Sequence, residues 1–136
     1  MSTKRTGACA CGAIRFACED ASAQAVHCFC RDCQKATGGA FATVVGFPVA
    51  DFSLQSGAPK GWVVTGTSGG RVERQFCGAC GSPLFTLADH AIGFVFVKAG
   101  AFDDPSWVNP QLVCWASREL PWARVPRDLP SVAENP

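Results

Sequence analysis

The chain has 136 residues, enough for one domain with a single core. Hydrophobic residues make up 48% and charged residues 17%, a composition that excludes a disordered chain. Twelve Lys and Arg face eleven Asp and Glu, and the resulting net charge of +1 argues against a nucleic-acid partner, since such proteins usually carry a basic stripe.

The start of the chain is polar, and residues 1–6 predict a loose tail ahead of a domain over 7–117. No apolar region follows the tail, so we expect no secretory signal. Apolar stretches are far shorter than the ~20 residues of a membrane span. We therefore expect a cytoplasmic protein with no membrane partner. In that reducing compartment clustered cysteines indicate metal binding or catalysis, and the odd total of nine cannot pair fully within one chain.

The first cysteine pair, Cys9 and Cys11, precedes an alternating apolar segment over 14–18 that predicts a half-buried strand. C-x-C is a loose metal-binding spacing, so this pair needs partners from elsewhere in the chain.

A second group places Cys28, Cys30 and Cys33 within six residues, the last of them in a short helix predicted over 31–37 and ended by Gly38-Gly39. Three thiols can converge on one ion and leave its fourth position open, which is the pattern of a catalytic zinc site. An incoming thiol would lose its proton there and become a reactive thiolate.

Two cations next to these cysteines, Arg31 and Lys35, are close enough to offset negative charge, and they are our candidates for binding substrate. The alternative is a purely structural site in which a fourth side chain closes the coordination. The candidates for that ligand are His27, Cys114 and Cys18. Cys18 and Cys114 are otherwise expected to be buried core residues.

Further alternating segments occupy 41–47, 62–65, 71–76, 92–97 and 111–115, and the turn 66–70 predicts a hairpin between the second and third of them. No stretch keeps helical spacing for more than about two turns. The fold class is therefore mainly β, with one short helix. We expect the four tryptophans in the core or at its edge, and His90 in a loop.

The strongest single motif is Cys77-Gly78-Ala79-Cys80-Gly81, a zinc knuckle. Gly78 and Gly81 are expected to supply positive φ angles and a close approach of backbone N–H to sulfur. With Cys9 and Cys11 the knuckle would form a closed structural site that fastens the first strand to a late hairpin. Two alternatives are a dithiol redox pair, which lacks its usual βαβ context here, and a four-cysteine iron–sulfur centre.

The end of the chain, residues 118–136, is rich in proline and predicts an extended segment that packs on the domain or trails from it.

The three cysteine motifs together resemble the glutathione-dependent formaldehyde-activating enzymes and their relatives, which include the centromere protein V group. The resemblance rests on C-x-C-G-x-I-x-F over 9–16, C-x-C-x-x-C-x-K over 28–35 and C-x-x-C-G over 77–81, in that order. It covers roughly residues 7–130.

The resemblance implies an Mss4-like fold of β-sheets stapled by zinc, with two zinc ions per chain. The residues that match the structural zinc ligands are Cys9, Cys11, Cys77 and Cys80. Those that match the second, open and more labile zinc site, where glutathione reacts, are Cys28, Cys30 and Cys33. Many relatives have His between the first two cysteines of this trio, whereas this chain has Phe29, with His27 one residue before the trio.

The leading hypothesis from sequence is a zinc-dependent carbon–sulfur lyase acting on a glutathione-type thiol adduct, as in the synthesis of S-hydroxymethylglutathione. Its partner would be a small-molecule thiol such as glutathione. The alternative is a non-catalytic zinc module that binds a protein or senses thiols. The two differ in whether an exchangeable ligand or a protein side chain occupies the fourth position of the trio.

Overall fold

A computed structural model describes residues 2–126 and 128–136. Its ten strands are β1 (Lys4–Ala8), β2 (Arg15–Glu19), β3 (Gln24–Cys28), β4 (Ala42–Pro48), β5 (Phe52–Ser56), β6 (Lys60–Thr65), β7 (Arg71–Phe76), β8 (Pro83–Ala88), β9 (Phe94–Lys98) and β10 (Pro110–Cys114). One α-helix, α1 (Arg31–Thr37), lies among the described residues, together with short 3-10 turns. The prediction of a mainly β fold with one short helix is confirmed.

Helix α1 has the bounds that the sequence predicts. Cys30 is its N-cap, and the Cys30 sulfur accepts a hydrogen bond from the backbone N–H of Cys33. Gly38 ends the helix in the left-handed region, with φ 71°, and its N–H donates to the Gln34 carbonyl. A side chain at this φ is strained, and for that reason Gly is the common residue there.

The strands form two sheets. The smaller has the order β1-β2-β5, and the larger has the order β10-β3-β4-β9-β8-β7-β6. All neighbouring strands are antiparallel except β10 and β3, which are parallel.

The main core lies where the two sheets face each other. Phe16 of β2 packs edge-on against Phe85 of β8, with ring centroids 5.2 Å apart. Val45, Phe47 and Val97 of the larger sheet are fully buried in the same cluster. Burying a side chain of this size stabilises the fold by about 1.5–3 kcal/mol. Side chains alternate across a strand, so the residues between these core positions face away from the small sheet.

Several expectations need correction. Residues 4–6, expected in a loose tail, belong to β1, and the strands β3, β5 and β8 were not predicted as strands. Two tryptophans expected in or beside the core are largely exposed, Trp62 at 69% and Trp122 at 68%.

The proline-rich C-terminal segment lies against β10 and the residues that follow it. The backbone of Val113 pairs with Pro130 and Val132, and the N–H groups of Trp115 and Ala116 donate to Glu134 and Val132. No helix among the described residues is long and apolar enough to cross a membrane.

Candidate metal centres

Two hairpin turns bring four cysteines together. Cys9 and Cys11 lie in the turn between β1 and β2, and Cys77 and Cys80 lie in the turn between β7 and β8. The four sulfurs are all within 4.8 Å of one another. These turns belong to different sheets, so the cluster joins the small sheet to the large one.

The spacing of these sulfurs fits a tetrahedral metal. Four thiolates at the usual Zn–S distance of ~2.3 Å lie about 3.8 Å from one another. The Cys9 and Cys11 sulfurs are 3.6 Å apart, and the Cys11 and Cys77 sulfurs are 3.8 Å apart. Backbone N–H groups of Ile14 and Ala79 donate to the sulfurs of Cys9 and Cys77. The four cysteines therefore have the donor chemistry and the geometry of a closed zinc site.

Gly78 and Gly81 of the knuckle differ in backbone conformation. Gly81 has φ 78°, as expected, but Gly78 is outside the left-handed region. A Cβ at Gly78 would instead lie 2.8 Å from Cε of Lys60, so what restricts this position is a neighbouring side chain. In the other turn Gly12, which follows Cys11, has φ 79°. In each turn the second cysteine is thus followed by a Gly with a positive φ angle.

Hydrogen bonds favour the thiolate form at two of the four cysteines. A bond with the Ser82 hydroxyl, 3.2 Å from the Cys80 sulfur, is the main reason that the pKa of Cys80 falls to about 5. The backbone bond from Ile14 lowers the pKa of Cys9. Metals bind thiolates, so these contacts favour metal binding.

The second group is built around the start of α1. Cys28 is the last residue of β3, Cys30 is the N-cap, and Cys33 lies in the first turn of the helix. Their three sulfurs are within 4.8 Å of one another, and no fourth ligand atom from the described residues joins them. This set also fits a soft divalent metal, with three thiolates and one position left over.

None of the three possible protein ligands completes this trio. His27 Nδ1 shares a hydrogen bond with the Thr43 hydroxyl at 2.9 Å. Cys18 lies in the core between the two sheets. Cys114 is paired with Cys28 across β10 and β3, but its sulfur is outside the group. Both Cys18 and Cys114 are buried, as the sequence predicts.

Two cations that the sequence analysis missed lie beside the trio. Arg74 of β7 donates from Nη2 to the sulfurs of Cys30 and Cys33, at 3.8 and 3.7 Å. Lys98, the last residue of β9, is only 8% exposed and donates to the Thr86 hydroxyl at 3.5 Å. Lys98 follows Phe94 and Phe96 at every second position of β9. A Lys in this otherwise apolar series is the feature of the sequence that could have identified it as a site residue.

The predicted cations occupy other positions. Arg31 lies at the edge of the cavity next to the trio and donates to the Gln34 side chain. Lys35 is exposed on α1 and is not among the residues that line this cavity. The structure therefore brings Arg31, but not Lys35, to the site.

The three thiols differ in acidity because of their neighbours. Hydrogen bonds from Cys28 and Cys30, and then the charges of Lys98 and Arg74, lower the pKa of Cys33. Hydrogen bonds with Cys30 and Cys33 raise the pKa of Cys28. Burial lowers the pKa of Lys98, and the charge of Cys33 opposes this effect.

A cavity of about 490 Å³ opens next to the trio, on the face of the large sheet that points away from the core. Its floor includes Val26, Val44 and Phe96, and its rim includes Arg118 and the β6–β7 turn at 66–68. A Cβ at Gly46 would lie 3.0 Å from the Phe96 ring, so this Gly gives the ring room to lie against β4. The volume is in the range of small-molecule sites.

Phe29, which lies between the first two cysteines of the trio, does not face this cavity. Its side chain is fully buried, with its ring centroid 5.0 Å from that of Phe41. Neither Phe29 nor His27 lines the cavity.

Comparisons with known proteins agree with this architecture. The model of the family described as glutathione-dependent formaldehyde-activating enzyme matches residues 4–118. A crystal structure of a Rhodobacter sphaeroides protein is similar with a TM-score of 0.59 and 22% sequence identity, covering 77% of this chain and 91% of that one. At this identity the similarity supports the fold alone. No curated protein matches the chain.

Proposed function

The chain belongs to the glutathione-dependent formaldehyde-activating enzyme family, and on this premise we propose that it is a zinc-dependent carbon–sulfur lyase acting on a glutathione-type thiol adduct. The reacting centre would be the trio Cys28, Cys30 and Cys33. The closed cluster of Cys9, Cys11, Cys77 and Cys80 would hold a structural zinc.

The observation that carries the proposal is the incomplete coordination of the trio next to a cavity. Three sulfurs converge, no described side chain supplies a fourth ligand atom, and the cavity begins at the same cysteines. Closed structural sites use four protein ligands, whereas catalytic zinc sites use three and leave one position for an exchangeable ligand.

Zinc bound to the trio would supply a Lewis acid that lowers the pKa of a thiol at the fourth position. The chain's own residues orient this centre. Cys30 fixes the start of α1 by accepting from the Cys33 N–H. Gln34, which is buried, donates to the carbonyls of Phe29 and Arg118 and so ties α1 to the loop before it and to the C-terminal region.

The reaction would form or break one carbon–sulfur bond without redox change. In the forward direction the thiol sulfur adds to the carbonyl carbon of a small aldehyde, and the carbonyl oxygen takes up a proton while the thiol has lost one. The apolar floor of Val26, Val44 and Phe96 would limit the access of water. Arg31, at the edge of the cavity, is the candidate for a glutathione carboxylate.

Calorimetry with glutathione and S-methylglutathione tests the proposal. The zinc-loaded protein should bind glutathione and bind S-methylglutathione far more weakly, because only a thiol can ionise and a thioether is a poor neutral donor for Zn²⁺. Cys30→Ser should lose the preference. Equal binding of the two ligands, or unchanged glutathione binding by Cys30→Ser, would favour the non-catalytic zinc module instead.

A further inference from the structure

We propose that Arg74 and Lys98 determine which ligand the Cys28, Cys30 and Cys33 centre accepts, by selecting an anionic fourth ligand over a neutral one. This inference rests on the proposed function, because it takes a divalent metal to be bound at the trio. It assigns the specificity to two residues of the large sheet and not to the cations of α1.

The contacts of Arg74 show what holds it in place. Its Nη2 donates to two of the three sulfurs, while its Nε is buried and has no hydrogen-bond partner. A buried donor without a partner destabilises the fold, since its hydrogen bond to water is lost and not replaced. The attraction of the guanidinium to the thiolate cluster compensates for this cost, since an opposite charge at this distance stabilises a partly buried cation.

Lys98 adds a second positive charge to the cavity that Arg74 also lines. It is 8% exposed, and it donates a hydrogen bond to the uncharged hydroxyl of Thr86. Within residues 2–126 and 128–136, the ion pair whose nitrogen and oxygen atoms lie within 4.0 Å joins Arg5 to Asp20. Neither Arg74 nor Lys98 therefore has a carboxylate partner at that distance. The cysteine sulfurs are the negative groups that Arg74 contacts directly, and they line the same cavity as Lys98; the charge of Asp32 also acts on Arg74.

The charge balance then favours one more anion. A divalent metal with three thiolates carries one net negative charge, and Arg74 and Lys98 together bring the centre to one net positive charge. An anionic fourth ligand makes the centre neutral, whereas a neutral ligand leaves a charge in a partly enclosed cavity. The other charged side chains that line the cavity, Arg31, Asp32 and Arg118, are exposed, as is the last residue, Pro136, and they are therefore screened by water and salt.

Cobalt substitution followed by ligand titration tests this inference. The visible spectrum of Co²⁺ at the trio should change when a fourth ligand binds, while the closed four-cysteine site does not respond. We would use 2-mercaptoethanol as the thiol, because it has no carboxylate for an Arg to bind, and imidazole as the neutral donor. The quantity measured is the ratio of the two affinities in each variant.

Arg74→Gln and Lys98→Gln should each weaken 2-mercaptoethanol binding about tenfold, as the loss of one nearby charge predicts. Imidazole binding should be unchanged or stronger. Arg74→Lys keeps the charge and should keep most of the preference. Arg71→Gln is the matched control, since Arg71 is exposed on the same strand and does not line this cavity, and its ratio should equal that of the wild type.

The outcomes separate the two proposals. If the wild type binds neither 2-mercaptoethanol nor glutathione, the proposed function fails and this inference fails with it. If the wild type binds thiols but the ratio is the same in Arg74→Gln and Lys98→Gln, or both ligands weaken equally, the inference is wrong and the proposed function stands. Should Arg74→Gln not fold, Lys98→Gln decides.

Discussion

Individual cysteines of this chain differ in pKa because of their neighbours and not because of burial alone. Burial raises the pKa of Cys18 to about 12, and burial, followed by the charges of Cys33 and Cys30, raises that of Cys114 to about 11. Cys33 is also buried, yet its pKa is lowered by hydrogen bonds from Cys28 and Cys30 and by the two cations. The first two therefore behave as small hydrophobic residues, and Cys33 is prepared to bind metal.

Two adjacent glycines at the end of α1 allow a matched test at the residue scale. Gly38→Ala should lower the free energy of unfolding by about 1 kcal/mol, because Gly38 has φ 71° although nothing lies within 4 Å of a new Cβ. Gly39→Ala is the control, since Gly39 is outside the left-handed region and a Cβ there would make an ordinary 3.7 Å contact. Urea unfolding of both variants measures the difference, and equal effects would contradict this explanation.

Among the elements of the fold, the two cysteine groups have different positions. The four-cysteine cluster joins the β1–β2 and β7–β8 turns, which are far apart in sequence and belong to different sheets. The trio is local, confined to the end of β3 and the start of α1. Metal at the first site closes a long loop of the chain, whereas metal at the second site joins residues that are already neighbours.

Cys77→Ser or Cys80→Ser should therefore leave the protein unfolded or insoluble, because metal binding at a structural site contributes folding free energy on the order of 10 kcal/mol. Cys30→Ser should leave a folded protein, and a Ser at this N-cap can still accept the hydrogen bond from Cys33. Soluble yield and thermal unfolding of the three variants measure the contrast. Similar melting of both kinds of variant would mean that the roles of the two sites are reversed or merged.

In the whole molecule, the two faces of the large sheet have different roles. One face packs on the small sheet and forms the core. The other forms the floor of the cavity, and the trio, Arg74 and Lys98 meet at it. The large sheet thus contributes to the packed core on one side and carries residues of the candidate site on the other.

We expect two zinc ions per chain, one held tightly and one labile, because four thiolates close the first site and three leave the second open. A chromogenic chelator should remove the labile ion first, with the fold retained, and Cys30→Ser should lose that ion selectively. Metal analysis of anaerobically purified protein measures the content. Bound iron, or metal-free protein with disulfide-linked cysteines, would contradict this expectation.

Much of the fold could be predicted because its signals are local. The C-terminal end of α1 follows from Gly38, and the β6–β7 hairpin follows from alternation on both sides of a Gly-rich turn. The strands that were missed have weaker patterns. β1 (Lys4–Ala8) is short and polar, and β8 (Pro83–Ala88) has no regular alternation of buried and exposed residues. Both pair only with strands next to them in the chain, β1 with β2 and β8 with β7 and β9, so what they lack is a local signal and not a nearby partner.

The two cysteine groups and their ligand chemistry can be identified without the fold, because metal ligands are recognised by residue type and spacing within short motifs. The mainly β class can be identified in the same way, through alternation. The folded chain was needed to show that His27, Cys18 and Cys114 do not join the trio, and that Arg74 and Lys98, not Lys35, lie beside it. This is because the register of the strands places residues of β3, β7 and β9 on one face of the large sheet. Charged side chains that are tens of residues apart in sequence come close enough to interact only when the strands pair in that register.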